Sequence, residues 1–367
     1  MVYKAIGLMS GSSLDGLDIA YVHLHAAGGN WSMDIQHSET HPYTREWADK
    51  LRNAINLSAL DYMLLHADYG HYIGKAVNDF ITRFGLEHKV DMIASHGHTT
   101  FHLPLRGMTG QIGDGAAIAA ETALPVISDL RALDVALGGQ GAPIVPVGEK
   151  LLLGDYGFLL NLGGIANLSF RKENKYYAFD VCSANRVLNL LVQPHGMQMD
   201  EGGKIAATGN IDEALLSRLN LLDYYGMAYP KSLANDFGTD VVYPLVEFAG
   251  LPLADALNTY CEHIAHQVAD SISHITAKEG MVPGEQQLLV TGGGALNDFL
   301  VSRIAANLAP LGLKIVVPDR QLVEYKEAVI MALIGVLRWR EEYNVLASVT
   351  GASRDSIGGA LWLGTDA

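Results

Sequence analysis

The sequence predicts an α/β protein whose two lobes repeat one structural unit. Three observations carry this reading. Short apolar strands alternate with segments of helical periodicity along the chain. Small, glycine-containing segments follow apolar strands in both halves, at 10–16, 95–100, 163–167 and 292–297. The 367 residues also exceed what one hydrophobic core of ordinary size gathers, so two domains are expected.

The first half opens with a strand carrying Ile6 and Leu8, a turn, and a second strand carrying Ile19 and Tyr21. Trp31 to His37 reads as a third strand. Residues 45–86 are mostly helical, with Leu51, Ala54, Ile55, Leu60, Leu64, Ala67 and Ile73 recurring at helical spacing. Val90 to Ala94 is a short strand ending in the polar turn Ser95–His102, and the carboxyl end of a strand is where α/β proteins place ligands. Gln111–Gly115 leads into a helix, and Val126–Asp129 forms another strand. Five of the six residues Gly138–Pro143 are Gly, Ala or Pro, which makes this segment the expected lobe boundary. The division is therefore placed at 1–140 and 141–367, with the C-terminal segment free to pack back on the first lobe.

The second half restarts the pattern. An apolar strand over 156–162 meets the turn Gly163–Asn167, and strands over 168–172 and 176–179 follow, the last ending in Asp180. Gln287–Thr291 runs into Gly292–Asn297. Helices are expected over 215–222, 254–276 and 324–340, the middle one presenting Leu257, Tyr260, Ile264, Val268, Ile272 and Ile275 on one stripe.

The composition, 49% hydrophobic and 18% charged, is that of a globular protein. A net charge of −15 argues against holding nucleic acid by the overall field. The longest apolar run, Ala328–Leu337, is too short to span a bilayer, and no membrane partner is expected. Two cysteines without metal-type spacing fit a reducing compartment, and no signal peptide precedes the first strand, so a cytoplasmic location is expected. The chain leaves a homodimer open.

The turn Ser10–Gly16 contains two glycines, three serine hydroxyls and one acid. Successive N–H groups in such a turn can cradle a phosphate, and an Asp beside them makes sense if Mg²⁺ lies between. The same residues also suit a plain hairpin turn. His96, His98 and His102 raise a second possibility, a metal-dependent hydrolase. Asp180 is either a strand terminus or a base at the mouth of a cleft. Cys182 reads as a packed residue and Lys231 as a surface charge.

Many short motifs in one order resemble the anhydro-N-acetylmuramic acid kinases, of the actin, sugar kinase and heat-shock ATPase superfamily. They are Gly7-Leu-Met-Ser-Gly-Ser-Ser-Leu-Asp-Gly-Leu-Asp18, Ser95-His-Gly-His-Thr99, Gln111-Ile-Gly-Asp-Gly115, Ser128-Asp-Leu-Arg131 and Gly138-Gly-Gln-Gly-Ala-Pro143. Asn161-Leu-Gly-Gly-Ile-Ala-Asn167, Tyr229-Pro-Lys-Ser232, Thr291-Gly-Gly-Gly-Ala-Leu-Asn297, Lys326-Glu-Ala328 and Ser348-Val-Thr-Gly-Ala352 continue the series. The chain departs from the family's Phe-Asp-Thr-Gly-Pro at Phe179-Asp-Val-Cys-Ser183, carries Asn189 where an Asp is usual, and has His98 where Gln is common.

The resemblance implies a two-lobed duplicated ribonuclease H-like (actin-like ATPase) fold with the active site in the interlobe cleft. It implies an ATP- and Mg²⁺-dependent kinase of peptidoglycan recycling that hydrolytically opens 1,6-anhydro-N-acetylmuramic acid and phosphorylates O6. Asp180 would be the catalytic base. ATP would meet Gly11, Ser12, Ser13, Leu14, Asp15, Gly16, Leu17 and Asp18 of a first phosphate loop, with Asp15 as metal ligand. Gly163, Gly164 and Asn167 would form a second phosphate loop, and Gly292, Gly293, Gly294 and Asn297 an adenosine platform. His96, Thr99, Arg131 and Glu327 would face the sugar. A non-catalytic sugar or nucleotide sensor of the same fold is the other alternative.

Overall fold

The computed structural model describes residues 1–364 apart from Ser12, Asn174, Pro230 and Asn235, and only the backbone of Lys175. Ser12, one of the expected phosphate-loop residues, therefore lies outside the described residues. The chain divides into two compact units, residues 1–154 with 325–367, and residues 155–324.

In the first unit, β1 (Val2–Ser10), β2 (Gly16–Ala27) and β3 (Asn30–Pro42) form an antiparallel meander. On the other side of β1 lie β4 (Met92–Leu103) and β6 (Val126–Ser128), both parallel to it in direction, and then β12 (Ala360–Trp362), antiparallel to β6. A short β5 (Met108–Ile112) hairpins onto β4.

Strand alternation decides which face each residue serves. Ile6, Leu8, Leu17, Ile19 and Tyr21 join a core with Tyr69, Ile73, Val77 and Phe80 of the helix Ala59–Phe84. Ala5, Ala20, Val22 and Leu24 join a second core with residues 328–334, 336 and 337 of the helix Arg320–Trp339. Gly7 faces that helix so closely that an added Cβ would lie 1.8 Å from the Ala328 carbonyl oxygen. The apolar run Ala328–Leu337 is thus a buried helix, as its length and composition require.

The second unit repeats the arrangement. β7 (Phe158–Leu162), β8 (Ile165–Lys172) and β9 (Lys175–Ser183) form the antiparallel meander. β10 (Gln287–Thr291) and β11 (Lys314–Val316) run parallel beyond β7. Its sheet order, β11-β10-β7-β8-β9, matches β6-β4-β1-β2-β3 of the first unit in both order and direction. This repetition is the duplicated ribonuclease H-like fold. The long helix Leu253–Glu279 buries Leu257, Tyr260, Ile264, Val268, Ile272 and Ile275, the stripe expected from its spacing.

Two expectations change. Residues 95–102 are strand rather than turn. Gln111 and Ile112 pair with Thr99 and His98, so β4 continues to Leu103 and the reversal comes at Pro104–Gly107. Gly138–Pro143 lies inside the first unit, where the buried Asp134 gathers it. The Gly141 N–H donates to Asp134 Oδ2 at 2.7 Å, and the Gln140 N–H donates to the Thr350 carbonyl at 2.8 Å.

Candidate active site

The duplication gives equivalent places to the two turns expected to hold phosphate. One joins β1 to β2, and the other, Gly163–Gly164, joins β7 to β8. In the first, Leu14 takes a left-handed backbone (φ 58°), unusual for a side chain of its kind. Asp15 shapes the turn by accepting from Ser13 Oγ at 2.6 Å and from the Gly16 N–H at 3.1 Å, both at Oδ1. Its carboxylate is otherwise exposed. Gly16 and Leu17 are buried, and a Cβ on Gly16 would meet Thr40 and His41 of β3. Asp18 is half-buried and accepts from Thr40 Oγ1 at 2.6 Å. Gly11 has room around it. Asp15 and Asp18 offer oxygen donors only, which suits a hard cation such as Mg²⁺.

The first unit also brings together three of the four expected sugar residues. Arg131 Nε donates to His96 Nε2 at 2.8 Å, and Nη1 donates to the Gly141 carbonyl at 2.6 Å. His96 Nδ1 in turn bonds the Gly97 carbonyl at 2.9 Å, which assigns its proton to Nδ1. Burial and the neighbouring Arg131 charge push the His96 pKa down to about 3, so it is neutral at physiological pH. Burial lowers Arg131 to about 10, against the attraction of Glu327 and Asp134. Thr99 stands apart, exposed on β4 and accepting from Gln111 Nε2 at 3.2 Å.

This arrangement argues against the histidine metal site. His96 has both ring nitrogens engaged, His98 bonds Ser10 Oγ at 3.0 Å, and His102 bonds Thr109 Oγ1 at 3.1 Å. Among the described residues, no three His, Cys, Asp or Glu side chains converge to hold an ion.

In the second unit Asp180 lies within β9, opposite Asn167 of β8. The register shifts between Ala166–Cys182 and Asn167–Asp180, leaving Val181 as an extra residue. Such a bulge bends a strand and re-aims its side chains. Asp180 Oδ1 accepts from Asn167 Nδ2, and Oδ2 accepts from the Leu233 N–H at 2.8 Å and Ser232 Oγ at 3.1 Å. Its backbone is tied as well. The N–H donates to the Lys231 carbonyl at 3.0 Å, and the carbonyl accepts from Tyr224 OH at 2.7 Å. Burial raises the Asp180 pKa above the ordinary carboxylate value, and the three hydrogen bonds hold back part of that rise. The result is a fixed carboxylate more basic than an exposed aspartate, the setting of a general base.

The glycines of this unit pack where β7 and β10 end. The Gly163 and Gly164 carbonyls accept from the Asn185 and Ala184 N–H groups, so the turn caps the helix Asn185–Val192. Gly292 (φ 80°) and Gly294 lie against Asn161, Leu162 and Asn185 so tightly that neither has space for a Cβ. The Asn297 side chain caps the helix Asp298–Leu308 by accepting from the Leu300 N–H at 2.9 Å. Asn297 thus shapes the glycine turn through its cap, and Asn167 orients Asp180.

Sequence reasoning named no role for Tyr224, Ser232 or Leu233. Tyr229–Ser232 was the available signal, since Ser232 belongs to that motif. Lys231 is no loose surface charge. Its Nζ donates to the Tyr224 carbonyl at 3.1 Å and sits 4.5 Å from the Tyr224 ring centroid. Cys182 is fully buried, and burial pushes its thiol pKa up, so it is a packing residue.

A duplicated ribonuclease H-like fold, with small-residue turns at equivalent places and a strand-borne carboxylate, defines the actin-like ATPase and sugar kinase class. The model of the anhydro-N-acetylmuramic acid kinase family matches residues 3–364. A relative named anhydro-N-acetylmuramic acid kinase from Synechococcus elongatus is 32% identical over 387 residues, covering 99% of this chain and 100% of the relative. One of the same name from Xanthomonas oryzae pv. oryzae is 33% identical over 370 residues, covering 97% and 96%. The chain belongs to the anhydro-N-acetylmuramic acid kinase family.

Proposed function

We propose that the chain uses ATP to convert 1,6-anhydro-N-acetylmuramic acid, released in peptidoglycan recycling, into N-acetylmuramic acid 6-phosphate. The setting of Asp180 carries the mechanism, because three donors fix its carboxylate while burial keeps it basic.

In this reading Asp180 accepts a proton from water, and the oxygen of that water bonds the anomeric carbon. The bond from that carbon to O6 breaks. O6 then bonds the γ-phosphorus as the bond to ADP breaks, and Asp180 returns its proton to solvent. Phosphoryl transfer needs mainly positioning and charge neutralisation. The turn 11–18 is assigned to the phosphates, along with Gly163 and Gly164, and Gly292–Gly294 to the adenosine. Arg131, held by His96 and drawn by Glu327, is assigned to orient the sugar. Thr99 is assigned to the same substrate. Asp15 would hold Mg²⁺, which when bound supplies charge neutralisation at the phosphates.

The cysteines are free and buried, and no helix among the described residues is long and apolar enough to cross a membrane. We propose a cytoplasmic location, the compartment that supplies ATP. The deciding experiment incubates the protein with the anhydro sugar, ATP and Mg²⁺. The expected result is one ADP for each 6-phosphorylated sugar. Sugar-independent ATP consumption, or ring opening without phosphate transfer, overturns the proposal.

A further inference from the structure

Four polar side chains beneath the first turn form a directed hydrogen-bonded chain. Tyr43 OH donates to Ser10 Oγ at 2.7 Å. With that proton committed, the 2.5 Å contact between Tyr43 OH and Tyr69 OH makes Tyr69 the donor to Tyr43. The Ser10 hydroxyl lies 3.0 Å from His98 Nδ1. Burial lowers the His98 pKa and favours the neutral ring, and with the ring proton on Nε2 the Ser10 hydroxyl, which accepts from Tyr43, donates its hydrogen bond to Nδ1. Ser10 and His98 are buried, and Tyr69 is fully so.

Tyr43 makes a second bond to the same turn, its backbone N–H donating to the Asp15 carbonyl at 3.1 Å. One residue therefore ties both ends of 10–15, the start through a side chain and the end through the backbone. Tyr43 directly follows β3, whose Pro42 pairs with Gly16. The clamp thus connects the turn to the third strand of the meander and, through Tyr69, to the helix Ala59–Phe84.

We propose that Tyr43 is a positioning residue for ATP, holding the phosphate turn at both ends, with His98 as the terminal acceptor that orients Ser10. The inference rests on the assignment of residues 11–18 to the ATP phosphates. It concerns positioning, since Tyr43 acts through the turn. A Gln side-chain oxygen at position 98 can accept the same hydrogen bond. The requirement at position 98 is accordingly an acceptor.

The test is steady-state kinetics on the full chain with ATP and the anhydro sugar, alongside thermal melts. Tyr43→Phe removes one hydroxyl and leaves the backbone bond. The expected result is a KM for ATP raised about five- to tenfold, the size of one lost hydrogen bond, with the sugar KM unchanged. His98→Leu should raise the ATP KM likewise, while His98→Gln restores it. A purely structural role would lower the melting temperature of Tyr43→Phe and leave its ATP KM untouched, which overturns the proposal. So does a rise confined to the sugar KM. Asp15→Lys, with reversed charge in the turn, serves as control. If Asp15→Lys loses ATP affinity and Tyr43→Phe does not, only the clamp is wrong. If both bind ATP as wild type does, the assignment of the turn falls and the clamp with it.

Discussion

Asp180 owes its behaviour to three donors from two places in the second unit: Asn167 on β8, and the adjacent Ser232 hydroxyl and Leu233 N–H, far along the chain from both strands. Asp180→Asn keeps the size of the side chain and removes its basicity. Turnover should fall by about 10²- to 10⁴-fold, the usual worth of a general base, with ATP affinity and melting temperature retained. Assays of ADP release and product formation check this, and near-wild-type turnover would remove Asp180 as the base. As a general base the carboxyl would work deprotonated, and its pKa is raised by burial. kcat/KM should therefore fall as pH drops through a value above the usual carboxylate range. Asn167→Ala deletes a donor that favours the charged form, so that acid limb should move to higher pH. A limb that stays in place in the Asn167 variant would mean that the bond to Oδ1 carries no electrostatic weight.

At the scale of elements, the first unit contains a buried ion pair. Lys326 Nζ lies 2.9 Å from Glu149 Oε1, and the side chains are 4% and 5% exposed. The pair joins the helix Pro146–Leu152 to the helix Arg320–Trp339, next to Glu327 and to the Ala328 carbonyl that β1 approaches at Gly7. Burying two charges costs about what their attraction returns, whereas stranding one is expensive. Lys326→Met should thus cost about 3–5 kcal/mol in denaturant unfolding, and the double variant with Glu149→Leu should recover most of it. A double variant as unstable as the single one would show that packing around position 326, and not the broken ion pair, sets the loss.

Across the whole molecule, stability should respond to acid through histidines in both units. His96 in the first unit and His263 in the second are fully buried and neutral, each with a pKa pushed down to about 3, chiefly by burial. An unfolded histidine takes its proton near 6.5. Below that pH the unfolded state binds more protons, so stability is fully present above about 6.5 and is lost progressively down to about 3. Urea midpoints measured over this range should decline, and His263→Gln should flatten the slope. An unchanged slope in that variant would contradict the buried neutral assignment.

Much of this fold was legible in the chain because it repeats. The period-two alternation of Ile6, Leu8, Leu17 and Ile19 and the helical stripe of Leu257–Ile275 are local patterns, and the structure carries both. The strand character of 95–102 was not legible, since its serine and histidines look like turn residues until β1 pairs with Ser95 and His98 and β5 pairs with the stretch from His98 to Leu103. The helix Asn185–Val192 was missed for a similar reason, its first N–H groups being satisfied by the Gly163 and Gly164 carbonyls twenty residues earlier.

By itself the sequence determined most of the elements, their duplication, the family and the acid proposed as the base, because short motifs and hydrophobic periods are local properties of a chain. Only the tertiary structure decided what each polar group does. In the fold Asn167 bonds Asp180, Asn297 caps a helix, His96 accepts from Arg131, and Tyr43 bonds Ser10. A hydrogen bond joins groups by distance and direction, and those partners are brought together by the sheet and its helices, at separations along the chain that no local pattern records.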